Sequence, residues 1–588
     1  MIIHTLKETI EIDIKGEKTI LELLQKQGIY LSALCGGRAN CGKCKIRLLR
    51  GCLPITEEDK KHFQKGELAQ GFRLACKARP SQDLEIKIFS EEEGFSIVSD
   101  FDMKKKNIRP GYAIININLK DEDWEKTPDL SSAIKAKVKL KVGQTPTLTY
   151  RALRSLSRII HESPNSKIDS LEVLLRDNTI LDIYANAKGK PYGIAIDIGT
   201  TTLAFALIDL KEGKVKDTYS KLNSQGLYGA DIVSRIQGAE GEGLEKLHSL
   251  IKDDILTAIE ELLKKAKVKG EDIYGLVMTG NTVMLHLAQG LSPKSLGQFP
   301  FTAIKLALHE LSFEELFREK LLDCRVSILP SIGAFIGADV LAGILYHNII
   351  ESDEIVILID IGTNGEIVIG NKDRILASST AAGPALEGGN ISCGIGSVPG
   401  AIGRVTYKDN NFQWETIENR EPVGICGSGV IDSIGEGLRH GLIDNTGLLR
   451  KDLIEDGLTI YTDNKGKKLR IGQRDIREIQ LAKGAIRAGI ECLIGEYAID
   501  YSDIDRLYLA GGFGSNIRVE NIVEMGLIPE SLGEKAVVSG NSSLGGGVNY
   551  LLDKSSKDKL EIIRQKSKAI NLSRDSRFND FFIRYMYF

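Results

Sequence analysis

Two stretches, GIAIDIGTTTLAFALID at residues 193–209 and VILIDIGTNGEIVIGN at 356–371, share one layout: an apolar strand, an aspartate, a Gly-Thr turn and a second strand. Each predicts a β-hairpin whose turn carries little side-chain bulk. The next step is also repeated. YGLVMTGNTVMLHL (274–287) and LYLAGGFGSNI (507–517) both read as a buried strand running into a glycine turn and then a helix. The chain from 191 onward therefore holds a weak internal repeat with the same order of elements in each half.

A hairpin that starts with aspartate and turns through Gly-Thr can bind polyphosphate. Its turn N–H groups and threonine hydroxyls donate to phosphate, and the carboxylate holds Mg2+ through water. One such hairpin is also an ordinary surface turn, but two on opposed halves can clamp phosphate from both sides. No GxxxxGK[ST] P-loop competes with this reading. GICGSGVIDSIGEGL (424–438) sets glycines at an expected helix start, where N–H donors and the dipole favour an anion or a ribose. A tight structural helix turn is the alternative there.

From about 191 to 588 the pattern resembles the superfamily of actin, heat-shock chaperone ATPases, and acetate and sugar kinases. That resemblance implies two lobes (about 191–350 and 351–588) that bind ATP and Mg2+. It makes Asp197, Gly199, Thr200 and Thr201 the first phosphate hairpin, and Asp360, Gly362, Thr363 and Asn364 the second. Gly511, Gly512 and Gly514 would border adenosine, and Gly427, Ser428 and Gly429 would contact the nucleotide. Asp197 and Asp360 are the candidate catalytic carboxylates. Asp231, in GADIVSRI, either orients an attacking water or caps a helix.

Of the nine cysteines, Cys35, Cys41 and Cys44 crowd one loop with five and two residues between them, and thirty-one residues separate Cys44 from Cys76. Three thiolates in a loop and one at a distance is the ferredoxin layout for a 2Fe–2S cluster. Gly36, Gly37, Ala39 and Gly42 let the backbone wrap it. Tetrahedral zinc is the alternative, since Cys41 and Cys44 form a CxxC pair, but a structural zinc site usually joins two such dyads. Disulfides are a weaker alternative. Cys52 fits no ligand spacing and is expected to be a packed thiol. Residues 1 to 90 resemble a 2Fe–2S ferredoxin, and the five-residue first gap is similar to the adrenodoxin-type variant.

The remaining organisation follows from length and charge. At 588 residues the chain exceeds one core. The 77 basic and 80 acidic side chains leave a formal charge of -3, without the basic excess that nucleic-acid binding needs. The first residues alternate as a strand and resemble no signal peptide, and no apolar run is long enough to span a membrane, so a cytoplasmic protein is expected. Strands at Ile10–Ile14 and Leu84–Ile88 flank the helix TILELLQKQG. A charged stretch at 91–110 reads as a linker. Residues 111–190 mix the strands YAIININL, KAKVKLKV, LEVLLR and ILDIYA with the helix YRALRSLSRIIHES, a small α+β unit read as a spacer or dimerisation domain, hence a homodimer. The fold class expected is multidomain α/β: a β-grasp ferredoxin-like domain, a small α+β middle domain and an actin-like, two-lobed ATPase domain.

A glycine-rich stretch, STAAGPALEGGNISCGIGSVPGA (379–401), and NSQGLYGADIVSRI (223–236) look like the reductive activators of corrinoid proteins. That family has the same order of ferredoxin, linker, middle domain and actin-like ATPase. The resemblance implies rescue of a corrinoid methyl carrier of a methyltransferase system. Inactive cobalt(II) is returned to cobalt(I) by one electron from the 2Fe–2S cluster, with ATP driving an uphill transfer and a separate electron donor recharging the cluster. Ferredoxin-type centres lie near roughly −400 mV, which is why help is needed. Three other readings stand beside it: an activator of a radical dehydratase or aryl-CoA reductase, a redox-sensing nucleotide-binding module without turnover, and a sugar kinase.

Overall fold

The computed structural model describes residues 1–5, 9–12, 14, 18–26, 31, 39, 42, 44–80, 83–88, 111–119, 129–163, 168, 170–185, 190–229, 231–464, 466–512 and 517–588. The linker expected at 91–110 lies outside the described residues.

At the N-terminal end a five-stranded sheet runs in the order Thr9–Glu11, Ile2–His4, Glu85–Ile88, Lys45–Arg50 and Phe72–Leu74. Its first and last strands in sequence pair in parallel, Ile3 opposite Ile86, and the helix Ile20–Lys26 closes one face. This is the β-grasp arrangement, with Ile3, Leu24, Ile46, Leu74 and Ile86 as its core.

The next unit is a four-stranded sheet of Ala113–Asn118, Ser170–Arg176, Thr179–Ala185 and Thr147–Leu148 carrying two helices, Leu130–Val142 and Tyr150–Glu162. The first helix corrects the strand expected for KAKVKLKV. Asp129 caps it by accepting from Ser132 N at 2.8 Å, and Gly143 ends it at φ 80 with its N–H bonded to the Lys139 carbonyl. Between those signals Ile134 and Val138 share one buried face at helical spacing while Leu140 lies exposed. The caps and the helix-forming Lys and Ala residues outweigh the Lys/Val alternation. This unit is docked on the lobe that follows. Arg151 bonds Asp182 at 2.9 Å, reaches the Asp323 carbonyl and lies over the Tyr274 ring. Gly111 N–H bonds the Leu552 carbonyl.

The duplication expected from 191 onward is present in the sheets. In the first, Lys214–Leu222, Thr202–Asp209, Tyr192–Ile198, Ile273–Gly280 and Arg325–Ile328 lie in that order, with His309–Ser312 beyond. In the second, Ile375–Thr380, Gly365–Gly370, Val356–Ile361, Arg506–Gly511 and Ala536–Gly540 repeat the same five-strand order, and Ser567–Ala569 pairs on the other edge. In both, the first three strands in sequence pair antiparallel; the fourth of the shared five pairs in parallel with the first, and the fifth pairs in parallel with the fourth. Val356 and Leu358 face one core while Ile357, Ile359 and Ile361 face another, the period of two that a strand buried on both faces requires.

The lobes are not continuous in sequence. The helix Ser542–Leu552, placed by the sequence reading within 351–588, packs on the first sheet and belongs to the first lobe's core. Gly545 and Gly546 explain the close fit: a Cβ on Gly545 would stand 2.6 Å from the Tyr346 ring and one on Gly546 2.1 Å from the Ala342 carbonyl oxygen of the facing helix Ala338–His347. Among the described residues no helix is long and apolar enough to cross a membrane.

Candidate functional site

Both signature hairpins form, and their turns meet. In the first, Asp197 pairs with Ala204 and, on its other side, with Thr279. In the second, Asp360 pairs with Glu366 and with Ala510. The Thr201 and Thr363 hydroxyls lie 3.3 Å apart, so the two turns close one crevice from opposite lobes. Gly199 N–H bonds the Thr202 carbonyl and Gly362 N–H the Asn364 carbonyl, both at 2.9 Å. Thr200 receives the Asn281 amide on its hydroxyl at 3.1 Å.

The strand after each hairpin ends in a glycine for the same steric reason. Gly280 has φ +145 and a Cβ there would stand 2.5 Å from the Ile198 carbonyl oxygen; Gly511 has φ +126 and would place a Cβ 2.2 Å from that of Ile361. Only glycine fits beside the residue that follows each aspartate.

Five acidic side chains, each half-buried, converge here. Two hydrogen bonds hold Asp197: Ser543 Oγ donates to Oδ1 at 2.7 Å and Asn541 Nδ2 to Oδ2 at 2.9 Å. Burial still pushes its carboxyl above the usual range. Asp339, two residues past Gly337 at the start of the helix Ala338–His347, is pushed up to about 7 by burial and by Asp197. Asp360 is pushed up to about 8 by burial, then by Asp339, Asp197 and Glu387. Glu366 rises through burial and the charges of Asp339 and Asp360, and Glu387 rises to about 7 through burial while accepting from Thr363 at 2.8 Å. Crowded carboxylates that raise one another's pKa form a site that favours a cation. Among the described residues no three His, Cys, Asp or Glu side chains are set to hold a metal directly.

Asp339, Glu366, Glu387, Asn541 and Ser543 were missed by sequence reasoning. A signal existed for two of them: Gly-Ala-Asp at 337–339 echoes Gly-Ala-Asp at 229–231, and counting the second hairpin sets Glu366 opposite Asp360. Asp231 itself is an exposed N-cap for Ile232–Gly238, accepting from Ser234 N at 2.8 Å. Its carboxylate is engaged in that cap.

The other glycine sets differ in placement. Gly511 borders the crevice and Gly512 is exposed beside it, while Gly514 lies outside the described residues. Gly427, Ser428 and Gly429 do begin a helix, Gly427–Arg439, but all three are buried. Ser428 Oγ donates to the Gly403 carbonyl at 2.8 Å, and a Cβ on Gly429 would stand 2.2 Å from the Ile402 oxygen. Packing accounts for their small size. That helix is tied to Arg518, which bonds Asp432 at 3.0 Å.

In the N-terminal sheet, Lys45 pairs with Leu74, which brings the flanking residues Cys44 and Cys76 to one end of adjacent strands, both buried. Ala75 N–H bonds the Cys44 carbonyl at 2.8 Å. Gly42, at φ +67, lies against His62, where a Cβ would come within 2.8 Å of Nδ1, and His62 Nε2 meets the Ala39 carbonyl at 2.7 Å. Two candidate thiolates and a glycine that a larger residue could not replace fit a wrapped cluster. Cys35 and Cys41 lie outside the described residues. Cys52 is a correction: it is exposed, turned outward after Gly51 at φ +96, and is not a packed thiol.

A duplicated two-lobed body whose Asp-Gly-Thr hairpins meet at a carboxylate-lined crevice, preceded by a β-grasp domain with paired cysteine segments, is the architecture of an actin-like ATPase fold joined to a ferredoxin. Residues 3–81 match the 2Fe–2S iron-sulfur cluster binding domain, 192–352 the RACo middle region, and 354–588 the C-terminal, ASKHA domain of RACo. The chain belongs to the RACo family. It is 31% identical to the corrinoid activation enzyme RamQ of Eubacterium limosum, over 97% of this chain and 96% of RamQ. It is 29% identical to the Co(II) methylated amine-specific corrinoid protein reductase of Methanosarcina barkeri, over 67% of this chain and 76% of that protein. The solved structure of a reductive activator for corrinoid, iron-sulfur protein superposes with a TM-score of 0.75 at 30% identity, covering 100% of this chain and 98% of that one.

Proposed function

We propose that this chain performs ATP-dependent reductive activation of a corrinoid protein, whose inactive cobalt(II) accepts one electron and becomes cobalt(I). The observation that carries this reading is the 3.3 Å meeting of Thr201 and Thr363, a two-sided phosphate crevice in the same chain as a ferredoxin domain. Similarity to the RamQ and M. barkeri proteins supports the corrinoid partner.

In this reading the units are 1–90, a linker at 91–110, 111–190, and the ATPase body from 191 to 588. Cys35, Cys41, Cys44 and Cys76 would hold a 2Fe–2S cluster, which when bound supplies single electrons at low potential. Asp197 and Asp360 would orient water on Mg2+, and Thr200, Thr201, Thr363, Gly199, Gly362 and Asn364 would bind phosphate. Gly511 and Gly512 would border the adenosine. Closure of the lobes on nucleotide would change which complex with the partner is stable, and so move an otherwise unfavourable electron transfer forward. A donor to the cluster is required, the 111–190 unit is a candidate contact for a second copy, and the compartment is the cytoplasm.

The test mixes purified protein with a cobalt(II) corrinoid protein, reductant and ATP, and follows the cobalt spectrum. Cobalt(I) should accumulate only when ATP is present and should fail to do so with Asp360→Asn. Equal reduction with and without ATP would overturn the coupling.

A further inference from the structure

Asn223 and Arg235 lie behind the first phosphate turn and hold three consecutive carbonyls. Asn223 Nδ2 donates to the Gly199 oxygen at 2.9 Å, Asn223 N–H to that of Thr201 at 2.9 Å, and Arg235 Nη2 to that of Thr200. Across a planar trans peptide the carbonyl and the next N–H point to opposite sides. Pulling the Gly199 and Thr200 carbonyls back therefore turns the Thr200 and Thr201 N–H groups the other way, away from Asn223 and Arg235. Asn223 is itself fixed, since its Oδ1 accepts from Gln225 N at 3.0 Å.

Arg235 is 1% exposed. Its remaining donors go to neutral groups: Nε to the Gly229 oxygen at 2.9 Å, and Nη1 to Met284 Sδ at 2.9 Å and Gln225 Oε1 at 3.5 Å. The two nearest acids are committed elsewhere. Asp231 caps its helix, and Asp254 is paired with Lys221 at 2.8 Å. Burial pulls the guanidinium down to about 9, which leaves it charged at neutral pH. The charges of Asp231 and Asp254 offset part of the burial, but every hydrogen bond that Arg235 makes is to a neutral group, and an anion beyond the turn would favour the charged form further.

We infer that Asn223 and Arg235 are positioning residues of the phosphate site: they aim the turn's N–H groups at a polyphosphate, and Arg235 supplies a fixed positive charge behind it. This rests on the nucleotide reading above.

The test measures ATP, ADP and AMP affinities of the full chain for Arg235→Gln, Arg235→Lys and Asn223→Ala, with melting temperature and visible cluster absorption recorded alongside. Arg235→Gln should weaken ATP roughly ten- to a hundredfold, as loss of a hydrogen-bonded charge does. The loss should shrink from ATP to ADP to AMP, and Arg235→Lys should recover most of it. Asn223→Ala should show the same graded loss and keeps the test decisive if the arginine variants do not fold. An equal loss for all three nucleotides with a lowered melting temperature would make both residues mere packing. Asp360→Asn separates the levels: if it also leaves ATP affinity and turnover unchanged, the nucleotide reading has failed; if it alone impairs them, only the role given to Asn223 and Arg235 has.

Discussion

The Thr201 hydroxyl stands 3.3 Å from the Thr363 hydroxyl, and Thr363 passes on to Glu387 at 2.8 Å, so a single chain of polar contacts crosses the crevice between two turns 162 residues apart. A phosphate group entering there would be offered hydroxyls from both lobes at once. Thr363→Val should lower kcat/KM for ATP by on the order of tenfold, the usual size of one lost hydrogen bond to a charged group. Thr201→Val with Thr363→Val should be non-additive by at least roughly 0.5 kcal/mol in a double-mutant cycle, because the residues touch. Strict additivity would show that the turns act independently.

The raised carboxyls give a pH signature with a definite sign. Asp339, Asp360 and Glu387 keep their protons up to about 7, 8 and 7, whereas in the unfolded chain carboxyls release them near their ordinary values. Between those limits the folded state binds more protons, so the stability of the nucleotide-free protein falls as pH rises toward 8. Thermal melts from pH 5 to 8 should show the decline, and Asp360→Asn should flatten it while abolishing most ATP turnover. Asp197→Asn should likewise cut turnover. Binding of Mg-ATP should release protons near neutral pH, read by calorimetry in buffers of different ionisation enthalpy.

For the N-terminal domain, Cys35→Ser, Cys41→Ser, Cys44→Ser and Cys76→Ser should each remove visible cluster absorption, whereas Cys52→Ser, at an exposed position, should retain two irons and two sulfides per chain. Cys44→Ser should still hydrolyse ATP but reduce no corrinoid. One zinc and no sulfide in the unaltered protein would rule the cluster out.

Gly511→Ala and Gly280→Ala address the duplication directly. Each adds a Cβ within 2.5 Å of a carbonyl oxygen at a positive φ, so each should destabilise its lobe by on the order of 1–3 kcal/mol and widen the crevice. Denaturant unfolding measures the loss, and ATP KM should rise in parallel. Gly143→Ala, at a helix end with open space around its Cβ, should leave ATP KM unchanged.

The paired hairpins, the glycine turns and the β-grasp strands are legible in sequence because strand alternation, Gly-Thr turns and cysteine spacing are local patterns with periods of a few residues. The helix at Leu130–Val142 was read as a strand for the same local reason, since its Lys/Val alternation hid caps lying outside the motif. What the tertiary structure decided is everything that depends on approach between distant segments. Asp339 and Glu387 enter the crevice only because their backbones are folded against the hairpins, and Asn541 and Ser543 reach Asp197 across 344 and 346 residues. The return of Ser542–Leu552 to the first lobe rests on Gly545 and Gly546, whose value is the contact distance to a facing helix. A one-dimensional pattern encodes which residues share a strand or a face, but the packing of one lobe against the other selects which charges meet, and the chemistry of the crevice follows from that meeting.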